Sequence, residues 1–151
     1  AAFAEDARPI TAGDLLTAQR VNRLQSKRYF DEATGTRAAS STNVDIPGLS
    51  IAFTTETNGA TVSCFWTSDF DLTGATTTLG STRLLLDSVT ASSNFATFQA
   101  GISTDRGTSA QTCEFTIGTA GAHTIKMQGT TPANMIINLY TALTIIVSEV
   151  V

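Results

Sequence analysis

Residues 60–70, ATVSCFWTSDF, decide the fold. Side chains alternate sides along a strand, so Val62, Cys64 and Trp66 share one face while Ser63, Phe65 and Thr67 share the other. Phe65 breaks the clean apolar/polar alternation, the pattern of a strand covered on both faces. Further along, Cys113, Phe115 and Ile117 share a face opposite Thr112, Glu114 and Thr116. Each cysteine therefore sits among apolar partners on its strand, and Trp66, beside Val62 and Cys64, reads as core rather than as an exposed sugar-stacking platform.

Working outward, more strand candidates lie at short intervals: RAASSTNVDI, LSIAFTTE, TRLLLDSV, FATFQAGI, QTCEFTIG, HTIKMQGT, NMIINLY and ALTIIVSEV. Turn residues break them at PG (47–48), NG (58–59), GATTTLGS (74–81), TDRGTS (104–109), AG (120–121) and TTPAN (130–134). Many short strands at such spacing predict an all-β protein, an antiparallel sandwich or barrel, over residues 36–151. The final stretch LTIIVSEVV is nearly continuously apolar, so the last strand is expected to be covered on both faces. A neighbouring copy of the same chain is the economical cover for its second face.

Composition agrees. The chain has 151 residues, 42% of them hydrophobic, enough for one domain with a real core. Only 15% are charged, so much of the polar surface is built from Thr, Ser, Asn and Gly. Threonine favours pleated, half-buried surfaces. The net charge of -4 is unevenly spread: six basic residues face five acidic ones up to Arg37, but three face eight beyond it. An acidic body speaks against nucleic acid as a partner, because phosphate contacts need a basic face. No apolar run approaches the roughly 20 residues of a membrane-spanning helix, and AAFAEDARPI does not read as a signal peptide.

Residues 1–30 form a separate head segment. Pro9 biases Arg8 to extended backbone, giving an arm. Thr11 with Asp14 resembles a capping box that opens one short α-helix running to about Gln25. Its apolar residues Leu15, Ala18, Val21 and Leu24 recur every third position and so spiral around the axis, with Leu16 adding to the spread. A helix apolar on several sides is gripped by more than one neighbour. Leu15, Leu16, Val21 and Leu24, together with Arg20 and Arg23 and followed by Lys27 and Arg28, are the candidates for docking on a large partner; the alternative is a helix packed across its own sandwich. YFDEATGTR, after it, reads as a turn-rich connection.

Chemistry is sparse. His123, the single histidine, follows a Gly turn and reads as a strand-start residue with no sequence-level catalytic partner. Asp69 and Asp71 in SDFDLTG begin like a calcium loop, but the closing Glu of an EF-hand is missing and the acids read as turn formers. No glycine spacing fits a Walker A loop or a dinucleotide fingerprint. Cys64 and Cys113 fit no CxxC metal motif. They pair as a disulfide only if their strands face each other; otherwise they are buried free thiols in a chain made in a reducing cytoplasm. Nothing in the sequence calls for a catalytic centre, a metal or a cofactor.

Two segments resemble known families. PITAGDLLTAQRVNRL is similar to the lead-in of bacteriophage structural proteins, matching at Gly13, Leu16, Thr17, Ala18 and Asn22. AGAHTIKMQGTTPANMIINLYTALTIIVSEVV resembles small phage-encoded β-sandwich proteins. Its ending YTALTIIVSEVV is similar to the last strand of C1q- and tumour-necrosis-factor-like jelly rolls, and GAHTIKMQ to another of their strands, although their Gly- and aromatic-rich central signature is present only in fragments. The resemblance implies a jelly-roll-like sandwich and a non-enzymatic virion protein, made in the host cytoplasm and assembled on the particle. A homotrimer is implied, with Leu143, Ile145 and Val147 of the last strand at its interface. The implied role is decoration of the capsid exterior, with the major capsid protein as partner. The alternative is a tail-fibre, minor tail or baseplate protein that binds a host-surface glycan through its loops.

Overall fold

The computed structural model describes residues 12–13, 17–99 and 101–151. A short helix, α1 (Ala18–Arg23), precedes ten strands: β1 (Lys27–Glu32), β2 (Ser40–Thr55), β3 (Ala60–Leu72), β4 (Gly80–Leu86), β5 (Thr90–Ala91), β6 (Ala96–Phe98), β7 (Arg106–Ile117), β8 (Gly121–Thr131), β9 (Met135–Ile137) and β10 (Ala142–Ser148). Every pairing is antiparallel. The first sheet runs β1-β10-β3-β7 with β9 also on β3; the second runs β2-β8-β4-β5 with β6 also on β4.

The pairings are nested. β1 takes β10, β2 takes β8, β3 takes β7, and β4 takes the short strands that follow it. A long hairpin bent back near β4–β6 and then rolled up gives this order, which is the jelly roll. The fold is therefore the expected all-β, jelly-roll-like antiparallel sandwich.

The two inner faces make the core. Val62, Cys64 and Trp66 from β3 are fully or almost fully buried, as are Leu143, Ile145 and Val147 from β10 and Leu84, Ile125 and Met127 from the opposite sheet. Trp66 is core as its alternation predicts, and its indole N–H donates to Thr82 Oγ1 at 3.1 Å. Thr82 in turn shares a 2.6 Å hydrogen bond with Ser68. This buried polar trio lies between the sheets and has a partner for each group, which removes most of the cost of burying it.

Several local expectations need correcting. YFDEATGTR contains a strand rather than only a connection: β1 begins at Lys27, inside the head segment, and lines Tyr29 up with Ile145 and Phe30 with Thr144. Charged residues at 27, 28, 31 and 32 hide the alternation, and its partner lies at the far end of the sequence. RAASSTNVDI and LSIAFTTE are one strand, β2, with register shifts between Ser40 and Val44 and between Asp45 and Ser50. The PG pair makes an irregularity there, not a turn: Pro47 has no N–H to give, and Gly48 sits at φ +82. A Cβ at Gly48 would meet Thr34 at 2.6 Å, so the bulge admits only glycine. TDRGTS supplies the start of β7 as well as the turn before it.

The helix is also shorter than expected. Thr17, not Thr11, caps it, its Oγ1 accepting from Arg20 N–H at 3.2 Å. Thr11 and Asp14 of the expected capping box, with Leu15 and Leu16, lie outside the described residues.

Candidate interaction surfaces

The outer faces of the two sheets are built differently. On the β2-β8-β4 face, Asp45, Lys126, Gln128 and Arg83 bond to one another. Lys126 Nζ lies 3.1 Å from Asp45, Gln128 Nε2 donates to Asp45 at 2.8 Å, and Arg83 Nη2 donates to Gln128 Oε1 at 3.1 Å. Thr130 donates to Asn43 at 2.9 Å beside them. This face is satisfied in water.

The β1-β10-β3-β7 face is apolar along its middle. Register places Phe30, Thr144, Phe65 and Thr112 directly across from one another. On one side of this row run Glu32, Ala142, Thr67 and Ala110; on the other run Arg28, Ile146, Ser63 and Glu114. A shallow depression of about 440 Å³ opens between Phe30, Phe65, Ala110 and Ala142. Phe30 is 51% exposed and Phe65 46%. Phe65 was expected under cover on both sides of its strand; within one chain its side is open.

Leu143, Ile145 and Val147, the residues proposed for an oligomer interface, face the other way and are 0–1% exposed. Their period-two spacing puts all three into the chain's own core. Any copy that covers β10 meets Ala142, Thr144 and Ile146 instead. The nearly continuous apolar run leads to an expectation of cover on both faces; within one chain only the Leu143, Ile145 and Val147 side is covered.

The two ends of the sandwich differ as well. At one end α1 and the C-terminal residues meet. Arg23 Nε lies 3.5 Å from Glu56 and Lys27 Nζ 4.0 Å from it. Glu149 accepts from the Glu56 and Thr57 N–H groups at 2.8 and 3.1 Å and from Thr57 Oγ1 at 2.7 Å, clamping the β2–β3 turn. Of the docking residues predicted on the helix, Arg20 and Arg23 are buried while Val21 and Leu24 are 41% and 58% exposed. The guanidiniums thus turn inward and the apolar residues outward, the reverse of an ordinary helix on its own domain. Leu15 and Leu16 lie outside the described residues.

His123 is at this same end, near the start of β8. Its Nδ1 lies 2.7 Å from Asp87 Oδ2 and its Nε2 2.8 Å from the Thr119 carbonyl. Both partners only accept, so both ring nitrogens must donate, and only the imidazolium does that. The hydrogen bond to Asp87 accordingly raises the His123 pKa above its usual value. Burial pushes Asp87 up, but its bonds from His123 and the Thr124 N–H outweigh that and leave it low. The site is an ion pair that ties the β4–β5 turn to the start of β8.

The opposite end carries the loops. Asp69, read as a turn residue, is buried at the end of β3, where Arg106 holds it through Nε at 3.0 Å and Nη2 at 2.6 Å. Asp69 N–H donates to Thr141 Oγ1 at 3.0 Å, and its carbonyl accepts from Asn138 N–H at 2.8 Å. These bonds pin the 138–141 loop, whose Tyr140 is 75% exposed and lies 5.0 Å below the Arg106 guanidinium. Leu79 and Ile102 stand out of neighbouring loops. No cluster of three or more metal-ligating side chains occurs among the described residues. Sequence reasoning missed Glu149, Arg106 and Tyr140, because nothing near them in the chain marks their partners.

No family model matches the chain, and no curated protein does. Solved structures similar to it include the globular domain of zebrafish complement 1qA, at 14% identity and a TM-score of 0.47 over 79% of this chain and 94% of that one. A structure of infectious bursal disease virus, Gt strain, matches at 10% identity and 0.45, over 84% of this chain and 38% of the viral one. A CBM35 from Cellvibrio japonicus Abf62 matches at 12% identity and 0.39, over 78% and 92%. At such identities the likeness concerns the fold alone, and the fold itself rests on the strand order described above.

Proposed function

We propose that this chain is a non-enzymatic structural protein that assembles as a homotrimer and decorates the exterior of a bacteriophage capsid. The contrast between the two outer faces carries the reading. One sheet ends in a hydrogen-bonded polar surface, while the other offers Phe30 and Phe65 across an apolar depression. A second copy is the occupant that suits it, because the two edges of the face carry opposite charges. Arg28 stands on the β1 edge and Glu114 on the β7 edge of the same row. In a closed ring the β1 edge of one copy meets the β7 edge of the next, so opposite charges flank the phenylalanines.

The arrangement of ends supports attachment. The helix with Val21 and Leu24 outward is at one end, and the loops with Tyr140, Leu79 and Ile102 are at the other. The first end suits docking on capsid protein; the second faces away. A second reading, recognition of a host-surface glycan from a tail structure, is favoured by Tyr140. An exposed ring backed by Arg106 and Asp69 is a surface on which a sugar can stack.

Light scattering on the full chain is expected to give three copies; a monomer overturns the assembly. Antibody to the chain is expected to label the shells of phage particles from the strain that carries its gene. Label confined to the tail favours the glycan reading, and unlabelled particles overturn a virion role.

A further inference from the structure

The two cysteines of the chain meet in one place. Cys64 on β3 and Cys113 on β7 are direct partners in the antiparallel register, so their side chains leave the same face of the sheet side by side. Directly opposed residues in such a pair hold their Cα atoms about 4.5–5.5 Å apart, within the roughly 4.4–6.8 Å that a disulfide needs. The register alone therefore brings the two side chains within reach of a bond. The two positions are not equivalent: Cys64 is fully buried between β10 and β7, whereas Cys113 is half-buried on the edge strand.

We propose that Cys64 and Cys113 are an oxidation site, a dithiol that closes to a cross-strand disulfide when the protein meets peroxide. Cys113, the half-buried one, is the sulfur that reacts first. Its thiol gives up a proton, the thiolate attacks one oxygen of hydrogen peroxide, the O–O bond breaks, and the departing hydroxide takes up that proton, leaving Cys113 sulfenic acid and water. The Cys64 sulfur then attacks the Cys113 sulfur; the S–O bond breaks, the hydroxyl leaves with the Cys64 proton as a second water, and the S–S bond forms. Both cysteines are oxidised by one electron each and one peroxide is reduced.

The electrostatics assign the same roles. The hydrogen bond between the thiols holds Cys113 below its usual pKa, while that interaction and burial push Cys64 far up. The more accessible sulfur is thus also the one whose thiolate forms more readily. The bond would close a loop of about 50 residues that contains the β3–β4 connection and the Ile102 loop, and so constrain the end of the sandwich that carries Leu79 and Ile102. It holds whether or not copies assemble, since both sulfurs lie on the inner side of the sheet.

The test is to expose the purified full chain to millimolar hydrogen peroxide and record its intact mass and its free thiols. The expected result is loss of both thiols together, with the mass falling by one pair of hydrogens in an otherwise monomeric chain on a non-reducing gel. Reductant should restore the starting mass. The melting temperature of the oxidised form should rise by about 10 °C. Cys64→Ser is expected to halt at an oxygen adduct on Cys113, and Cys113→Ser to leave Cys64 unreacted. Chains linked through Cys113 to one another, stepwise oxygen addition to the wild-type chain without disulfide, or two thiols that survive the treatment would each overturn the proposal.

Discussion

Replacing Phe30 and Phe65 together by Ser tests the assembly surface. Each ring is about half exposed. A phenylalanine buries about 150–250 Å² when covered, so each ring has on the order of 100 Å² left to lose to a neighbour. At about 25 cal/mol per Å² this is roughly 2–2.5 kcal/mol per ring, or between 4 and 5 kcal/mol for the pair at each interface. An association constant weakened by that much falls more than about a thousandfold. The assay is sedimentation velocity across a protein concentration series. The wild-type chain is expected to hold its trimer into the low micromolar range, while the double variant runs as a monomer there. Far-ultraviolet circular dichroism should be unchanged, because neither ring contributes to the inner faces of the sheets. A double variant that sediments like the wild-type trimer would refute the reasoning, and so would one that loses its β-sheet signal, since the rings would then be holding the fold.

Three further outcomes concern stability, each measured by urea denaturation at fixed protein concentration. His123→Gln removes an ion pair whose histidine pKa is raised and whose aspartate pKa is lowered. The histidine part is fully present below about pH 6.5 and fades as pH climbs through the folded His123 value. The aspartate part is present above about pH 4 and fades as pH falls through the folded Asp87 value. The loss should therefore be about 0.5–1 kcal/mol at pH 5 and smaller at pH 9; equal losses at both would show that no charge is involved. Thr82→Val strips the acceptor from the Trp66 indole and should cost about 1–3 kcal/mol, with an unchanged midpoint counting against the buried trio. Arg37 is buried where it joins the sheets, its backbone bridging Ile137 and its Nη2 donating to Thr131 at 2.9 Å. Its Nε and Nη1 have no hydrogen-bond partner among the described residues, and burial lowers its pKa, so Arg37→Met should hold stability within about 1 kcal/mol or raise it. A loss of more than about 3 kcal/mol would mean that the charge is compensated after all.

The sequence by itself determined the class of fold, the strand faces and most of the core. Alternation in residues 60–70 and 113–117 is local information, because the pleat fixes side-chain direction from one residue to the next. It placed Val62, Trp66, Phe115 and Ile117 inward. What alternation cannot carry is the partner of each strand. The jelly roll nests pairs that lie far apart in the chain, so β1 passed for a connection until β10 lay beside it, and Cys64 met Cys113 only through register. The same limit governed the last strand: its apolar run did not distinguish its two sides, and only the packing of the second sheet decided that Leu143, Ile145 and Val147 face inward and that Thr144 and Ile146 share the open side with Phe30 and Phe65. Ionic contacts followed no local rule at all. Asp69–Arg106, Asp87–His123 and the Glu149 clamp join residues brought together by the sandwich, and a single charge on a strand gives no sign of which distant group will meet it.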